Sequence, residues 1–400
     1  MCALPMQLRS YTRLSVMMFL FYVAAGAHIP LLSLYLNRVL GFSGVQTGTI
    51  LSMSALSAIV APLIGSFIAD RIMSAERVLA VSQIGSAVVM WILTLQDQYL
   101  HFLFFYIIFQ LLFGPGVALT NAIVFHHAPD ARRQFSGVRL WGTAGWIAAA
   151  WFFSFLWLDR PGGTVGDALR FTALVSGVLG VYALSLAPTR RAGPRRRELI
   201  PRAALRILMQ PRVLIVALVG LVVQMVDKYY YFGTAPFLDA LGVPESSIMP
   251  AMSLGQATEL LSMLAMAALL VRFSYRRMLI AGIFMELARF IFLIVSAVTG
   301  SAVPAYIGIA FHGPAFAFFF STAFIYIDSF TDSESRAGIQ QLFNLITMGV
   351  GNLLGSLVAG AVFDLTAVNG HVRYSWFWGV PAVLVVAMLG VVASFRLRRQ

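Results

Sequence analysis

Long apolar runs, separated by short polar or Gly/Pro-containing segments, follow one another along the whole chain. A helix needs about 20 apolar residues to cross the hydrocarbon core of a bilayer. Twelve runs reach that length, and we predict a membrane-spanning helix for each. They cover residues 12–37, 44–69, 77–96, 99–127, 137–158, 168–187, 212–238, 247–271, 276–298, 302–327, 337–363 and 374–395. The pattern therefore predicts an all-α polytopic membrane protein.

The longest polar interruption runs from Pro188 to Pro211 and is rich in Pro and Arg, as is typical of a linker. It divides the predicted spans six and six. We therefore predict an N-terminal six-helix bundle over 1–187, a cytoplasmic linker over 188–211 and a C-terminal six-helix bundle over 212–400.

Composition and charge agree with a membrane protein. Of the 400 residues, 60% are hydrophobic and 11% are charged, whereas soluble domains carry about 25% charged residues. The formal net charge is +12, but the basic residues cluster at predicted span ends, so we expect contact with anionic lipid and none with nucleic acid. Most Lys and Arg fall in the termini and one set of loops, which predicts that both termini are cytoplasmic.

The sequence lacks the residues and motifs that several kinds of chemistry require. The single cysteine, Cys2, excludes a disulfide framework and a thiolate metal site. The chain has no Walker loop, no GxSxG and no HExxH sequence, so we expect no ATP hydrolysis, no other enzyme activity, no cofactor and no metal.

Six ionisable side chains lie inside the predicted spans. They are Arg139, Asp227, Lys228, Glu259, Glu286 and Arg289. Placing one charged side chain at the centre of a membrane-spanning helix costs about 2.5 to 3.5 kcal/mol of insertion free energy. The free energy of unfolding of a whole domain is only about 5 to 15 kcal/mol. These groups must therefore pair with one another or line a water-filled cavity, and this arrangement favours a transporter.

In the fifth span, Arg139, Thr143 and Trp146 follow one another at i, i+4 and i+7, which is one face of a helix. A cation, a hydroxyl and an aromatic plane would make a wall for a small polar ligand with a flat ring. The alternative is that Arg139 extends to the cytoplasmic interface and Trp146 packs against a neighbouring helix.

In the eighth span, Gln256 and Glu259 share a helix face at i and i+3, deep among apolar residues. Both could bind a polar ligand, and Glu259 could exchange a proton there. The alternative is a permanent ion pair between Glu259 and a cation such as Lys228 or Arg139.

Lys228 is the only lysine in the chain and follows Asp227 directly. Adjacent helical residues point about 100° apart, so we expect these two not to pair with each other. We expect one of them to face Glu259, although a charge at the end of a span is the alternative. Glu286 and Arg289, at i and i+3, are predicted to neutralise each other.

An aromatic stripe in the tenth span consists of His312, Phe316, Phe319 and Phe320. It could line a cavity, but aromatic residues at helical spacing more often pack in a core. In the eleventh span Gly351, Gly355 and Gly360 would permit close helix packing.

The segment after the second span resembles the loop signature of the major facilitator superfamily. Gly65, Asp70, Arg71 and Arg77 match that signature, while Ser74 stands where the superfamily usually has Gly. The resemblance implies that this loop is a conformational latch. It also implies a fold of twelve transmembrane helices in two pseudo-symmetric halves.

Several segments are similar to the nucleoside:proton symporters of bacterial inner membranes. These are residues 69–78, 119–121, 126–127, 139–146, Gln256 with Glu259, and Arg289 with Phe290. The resemblance implies that Arg139, Thr143 and Trp146 face the ligand, and that Gln256 and Glu259 bind the nucleoside. It also makes Glu259 a candidate for proton coupling.

The chain departs from that family at two places. The amide residues of the seventh span fall on Lys228 and Tyr231 here, and an Asp of the tenth span falls on Ala317 after Phe316. The departures leave open which nucleoside is carried.

From residues and resemblance together we predict a monomeric symporter that imports a nucleoside with protons by alternating access. Trp146 and Phe316 would stack on the base, and Lys228 and Tyr231 would join the binding residues. Glu259 and Asp227 are the candidates for the coupling proton. The alternative is a proton-coupled porter of an aromatic acid or sugar with the same fold.

Overall fold

The computed structural model describes residues 8–63, 73–128, 131–189, 202–331 and 335–394. The described chain is almost entirely helical, with one two-stranded hairpin that pairs Ala367–Val368 with His371–Val372. A helical segment covers the described part of every predicted span. Ten of these segments are long and apolar enough to cross a membrane, and the other two spans correspond to a shorter apolar helix over 44–60 and to a 28-residue helix from Glu245 to Arg272.

Contacts divide the chain into two compact units. Unit 1 comprises residues 1–41 and 56–197, and unit 2 comprises residues 42–55 and 198–400. The change of unit near residue 197 lies within the predicted linker. The short segment 42–55 contains the first residues of the second predicted span, 44–69, but its contacts are with unit 2.

Unit 1 contains α1 and α2, α4 to α9, and two π-helical turns. The helices are α1 Leu8–His28, α2 Leu32–Leu34, α4 Ala55–Leu63, α5 Ala75–Leu93, α6 Tyr99–Phe113, α7 Gly116–His127, α8 Ala131–Phe153 and α9 Asp167–Leu184, and the π turns are Tyr35–Val39 and Ser154–Leu158. α1 packs against α8 and α9, and α5 packs against α6, α7 and α9. The break between α6 and α7 falls at Gly114 and Pro115, because proline cannot donate a backbone hydrogen bond within a helix.

Unit 2 contains α3 and the helices from α10 onward. They are α3 Gly44–Ser52, α10 Arg202–Leu208, α11 Pro211–Ala240, α12 Glu245–Arg272, α13 Tyr275–Thr299, α14 Ala302–Ala310, α15 His312–Phe316, α16 Thr322–Asp328, α17 Arg336–Asn344, α18 Asn352–Thr366 and α19 Tyr374–Ser394, with π-helical turns at Ala317–Ser321 and Leu345–Gly351. α11 packs against α18 and α19, α12 packs against α14 and α15, and α13 packs against α14, α15 and α19.

Large apolar side chains lie exposed on both units, among them Leu100, Leu264 and Val271. A water-soluble protein rarely exposes apolar surface on this scale. An outer surface of this kind suits a protein whose solvent is lipid.

Glycines bring α3 and α18 into backbone contact within unit 2. A Cβ atom at Gly44 would lie 2.5 Å from the carbonyl oxygen of Gly360, and one at Gly48 would lie 2.5 Å from that of Ser356. No larger residue fits at either glycine without separating the helices. The predicted close packing at Gly360 is therefore confirmed.

The carboxylate of Asp364 caps the N-terminus of α3. Its Oδ1 accepts from the Gly44 amide at 2.6 Å, and its Oδ2 accepts from the Val45 amide at 2.8 Å. Ser43 and Gln46 add a capping box at the same turn. The first amides of a helix lack partners within the helix and carry partial positive charge, so an anion at this position is stabilising.

We expect Asp364→Asn to loosen this contact. The asparagine NH₂ group would face a backbone N–H, so one of the two hydrogen bonds is lost together with the negative charge, at a cost of about 0.5 to 2 kcal/mol. A lower melting temperature of the purified protein in detergent checks this. Asp159→Asn, at an exposed residue of unit 1, is the control, and equal melting of the two variants would contradict the capping role.

Candidate functional site

Three charged side chains meet inside unit 2. Arg289 on α13 is fully buried and forms an ion pair with Glu286 one turn earlier. Its Nη1 also lies 3.4 Å from Oδ1 of Asp227 on α11. The predicted pairing of Glu286 with Arg289 is confirmed, and Asp227 is a second carboxylate partner. Mutual pairing is what a buried charge requires, because an isolated one would be far more costly.

His312, the first residue of α15, lies beside these charges. Its Nδ1 is 2.8 Å from Arg289 Nη1 and 3.3 Å from Asp227 Oδ1. Its ring stacks on that of Tyr230, with centroids 5.4 Å apart and planes 14° apart. Gly255 on α12 leaves room for the ring, because a Cβ atom there would lie 3.0 Å from His312 Cδ2. His312 is therefore held on three sides.

A hydrogen-bonded chain runs from this cluster to the predicted binding residues. His312 Nε2 lies 3.4 Å from the Tyr231 hydroxyl, and Gln256 Nε2 donates to the same hydroxyl at 2.9 Å. The Lys228 ammonium lies 5.5 Å from the centroid of the Tyr231 ring, within cation–π range. The structure thus brings together Asp227, Lys228, Tyr231 and Gln256, which the sequence predicted as site residues.

Gln256 carries an unpaired acceptor. The residue is only 9% exposed, and its Oε1 has no hydrogen-bond partner in the described parts of the chain. A buried polar atom without a partner costs about 1 to 3 kcal/mol. A ligand with an N–H or O–H group would supply the missing partner.

Glu259 lies one turn after Gln256, at the contact of α12 with α15. The contact is close because Gly313 lacks a side chain, and Thr258 Oγ1 donates across it to the Ala310 carbonyl at 2.7 Å. Glu259 is half-buried. Its backbone position is therefore fixed by helix packing.

The aromatic stripe of the tenth span has two kinds of members. Phe319 and Phe320 are 1% exposed, which confirms the packing interpretation for them. Phe316 is half-buried and leaves part of its ring accessible. Its ring lies 6.2 Å from that of His312 and 4.9 Å from that of Phe320. Ala317, next in sequence, is fully buried.

In unit 1, the predicted ligand-facing residues Arg139, Thr143 and Trp146 lie on α8, which packs along α1. The Arg139 guanidinium stacks over the Tyr22 ring at 4.2 Å, a partner that sequence spacing did not indicate. Trp146 lies against Gly26, where a Cβ atom would be 3.1 Å from its Cγ. Packing therefore covers part of Trp146, as the alternative interpretation expected, yet Arg139, Thr143 and Trp146 all remain partly exposed.

The predicted latch is described only in part. Gly65, Asp70 and Arg71 lie outside the described residues, and Arg77 is exposed in the first turn of α5. The neighbouring Glu76, which sequence reasoning had not assigned a role, accepts from Thr189 Oγ1 at 2.8 Å and from its amide at 3.1 Å. The latch stays a prediction.

Within the described residues, no group of three or more His, Cys, Asp or Glu side chains could hold a metal ion.

Comparison with known proteins decides the family. The sequence profile described as Nucleoside H+ symporter matches residues 7–400. The chain belongs to the nucleoside H+ symporter family. The chain is therefore a proton-coupled nucleoside transporter and a multi-pass membrane protein, and it is not an enzyme, as the sequence predicted.

Similar proteins span the full length of the chain. The putative nucleoside transporter YegT of Escherichia coli K12 is 29% identical over 398 residues, which cover 96% of this chain and 93% of the relative. The xanthosine permease of the same organism is 26% identical over 390 residues, or 92% of each chain.

Solved structures show the same fold. The crystal structure of the nucleoside transporter NupG has a TM-score of 0.83 at 22% identity, covering 97% of this chain and 100% of that one. A mutant form of NupG has a TM-score of 0.87 at 21% identity, covering 96% and 99%. The D-xylose–proton symporter, at a TM-score of 0.78, shares the architecture. The predicted all-α polytopic fold of the major facilitator superfamily is confirmed, while its division into two halves of six helices each stays a prediction.

Proposed function

We propose that this chain imports nucleosides together with protons across the bacterial inner membrane, as a monomer with both termini in the cytoplasm. The observation that carries the proposal is the buried Gln256, whose Nε2 donates to Tyr231 while its Oε1 lacks a partner among the described residues. A nucleoside offers ribose hydroxyls and base N–H groups that can donate to this oxygen. Phe316, half-buried on α15 with its ring 6.2 Å from that of His312, would add an apolar ring face, and nucleoside-sized ligands favour apolar walls with a few fixed polar groups.

Each unit offers its own set of ligand contacts in this proposal. Unit 2 contributes Lys228, Tyr231, Gln256, Glu259 and Phe316. Gln256 and Glu259 would hydrogen-bond the ribose or base, and Phe316 would lie against the base.

Unit 1 contributes Arg139, Thr143 and Trp146. Thr143 would add a hydrogen bond, and Trp146 would stack on a base with the part of its ring that α1 leaves open.

Glu259 is the proposed carrier of the coupling proton. It would bind a proton when the site faces the periplasm and release it when the site faces the cytoplasm. Lys228 would stabilise the carboxylate of Glu259 after it has lost its proton. Asp227, the second candidate, is already held by Arg289 and His312, so its charge is tied to theirs.

Ligand class is tested by thermal shift of the purified protein against nucleosides, nucleobases, sugars and aromatic acids. We expect nucleosides to raise the melting temperature, because a ligand that binds only the folded state stabilises it by mass action. Competition for uptake of labelled uridine or adenosine gives a second measure. Stabilisation and competition by acids or sugars, with none by nucleosides, would contradict the proposal.

Trp146→Ala should weaken nucleoside binding by about 1 kcal/mol, roughly fivefold in Kd, because stacking on the base is lost. Isothermal titration with uridine or adenosine measures this. Trp141→Ala is a matched control, since Trp141 lies on the same helix and is 45% exposed. Equal affinity of the Trp146 variant and the parent would show that Trp146 does not stack on the nucleoside.

A further inference from the structure

The Nδ1 atom of His312 lies between a donor and an acceptor. Arg289 Nη1 is 2.8 Å away and Asp227 Oδ1 is 3.3 Å away. In a neutral imidazole with the hydrogen on Nε2, Nδ1 can accept from Arg289 but cannot donate to Asp227. In the charged imidazole, Nδ1–H can donate to Asp227, and Nδ1 can no longer accept a hydrogen bond from Arg289. One proton therefore changes the hydrogen-bond partner of His312.

Charge balance in the cluster depends on that same proton. Arg289 is positive, and the buried carboxylates of Asp227 and Glu286 are negative. With a neutral His312 these four groups carry one net negative charge, and with a charged His312 they carry none. A neutral set is less costly in an apolar interior, and either the ammonium of Lys228, the residue after Asp227, or a proton on His312 can complete it.

The other titratable groups around His312 come from two helices. From α11, the Tyr230 ring stacks on the imidazole and the Tyr231 hydroxyl faces Nε2. Lys228 is directed at the Tyr231 ring. From α12, Glu259 lies at the contact with Gly313, the residue after His312.

Tyr231 connects this cluster to the ligand side. Its hydroxyl oxygen lies 3.4 Å from His312 Nε2 and accepts from Gln256 Nε2 at 2.9 Å. A charged imidazole donates a stronger hydrogen bond than a neutral one. A hydroxyl oxygen that accepts more strongly also donates its own hydrogen more strongly. Protonation of His312 would therefore strengthen the hydrogen bond that Tyr231 can offer to a bound nucleoside.

We propose that His312 is a protonation site that sets nucleoside affinity, while Glu259 carries the coupling proton, and that Tyr231 links the His312 proton to the nucleoside. His312 binds the proton by exchanging Arg289 for Asp227 as the partner of Nδ1. It exchanges this proton with the solution on one side of the membrane only, so it moves no net proton across. This proposal rests on the proposed function, since it needs a nucleoside bound at Gln256.

The test is the pH dependence of nucleoside affinity in the Glu259→Gln background, which removes the carboxyl proposed to carry the coupling proton. Uridine Kd is measured by isothermal titration between pH 5.5 and 7.5, the range in which histidine changes charge. Because proton and nucleoside binding favour each other, the Kd of Glu259→Gln should rise about fivefold or more as the pH rises. In the double variant with His312→Gln the Kd should stay constant.

His101→Gln in the same background is the matched control, because His101 is exposed at the start of α6, and it should keep the full pH dependence. A double variant with His312→Gln that keeps the same dependence, or a Glu259→Gln protein whose Kd is already constant, would overturn the role of His312. A parent protein that binds no nucleoside at any pH would instead contradict the proposed function itself.

Tyr231→Phe tests the link separately and covers the case in which His312→Gln does not fold. The substitution keeps the ring and removes only the hydroxyl that joins His312 to Gln256. Combined with Glu259→Gln, it should make the uridine Kd independent of pH. A fivefold dependence that survives in this variant would overturn the proposal.

Discussion

Glu259→Gln abolishes the accumulation of nucleoside that is driven by a pH gradient, while exchange of nucleoside across the membrane continues. Glutamine keeps the shape and hydrogen-bonding capacity of the side chain but cannot carry a proton. A gradient of one pH unit supplies about 1.4 kcal/mol per proton, which is roughly a tenfold concentration ratio. In proteoliposomes with this gradient, the parent should approach that ratio for labelled uridine, and the variant should reach about one.

The control for this experiment is Glu245→Gln. Glu245 lies in the first turn of α12, on the same helix as Glu259 but outside the hydrogen-bonded chain to Gln256. It should accumulate uridine like the parent. If Glu259→Gln accumulates uridine to the parental ratio, Glu259 does not carry the coupling proton.

Arg289→Met should destabilise the protein more than any other single change considered. It leaves Asp227 and Glu286 buried without their cation, and breaking a buried ion pair on one side costs about 3 to 5 kcal/mol. Thermal unfolding in detergent, with recovery of monodisperse protein, measures the loss. Adding Asp227→Asn and Glu286→Gln to the same protein removes both stranded charges and should restore much of the stability.

Arg170→Met provides the comparison. Arg170 also pairs with a carboxylate at i, i+3, since its Nη1 lies 2.8 Å from Asp167 Oδ1, but its side chain is 53% exposed. Exposed pairs contribute about 0 to 1 kcal/mol, so this variant should melt close to the parent. An Arg289→Met protein that melts at the same temperature as Arg170→Met would show that the buried cluster does not hold unit 2 together.

The twelve spans could be predicted from sequence because bilayer thickness sets the length of an apolar helix. The pairing of Glu286 with Arg289 could be predicted because residues three apart on a helix always lie on one face. Both rules are local. The close contact of α3 with α18 is not local, and Gly44 and Gly48 look like ordinary helical glycines until Gly360 is placed opposite them.

The rest of the site depends on which helices meet. His312 was grouped with the phenylalanines of its stripe, because nothing in its spacing brings α15 to α13. The unpaired oxygen of Gln256 could not have been foreseen, since it depends on where Tyr231 directs its hydroxyl.

The most direct test of coupling is proton movement driven by the nucleoside itself. Proteoliposomes with equal internal and external pH receive an inward gradient of uridine, and the pH of the weakly buffered external medium is followed. A symporter carries protons inward with uridine, so the medium should become more alkaline in proportion to uptake, and Glu259→Gln should give no such change. Uridine entry without any change in external pH would contradict the account.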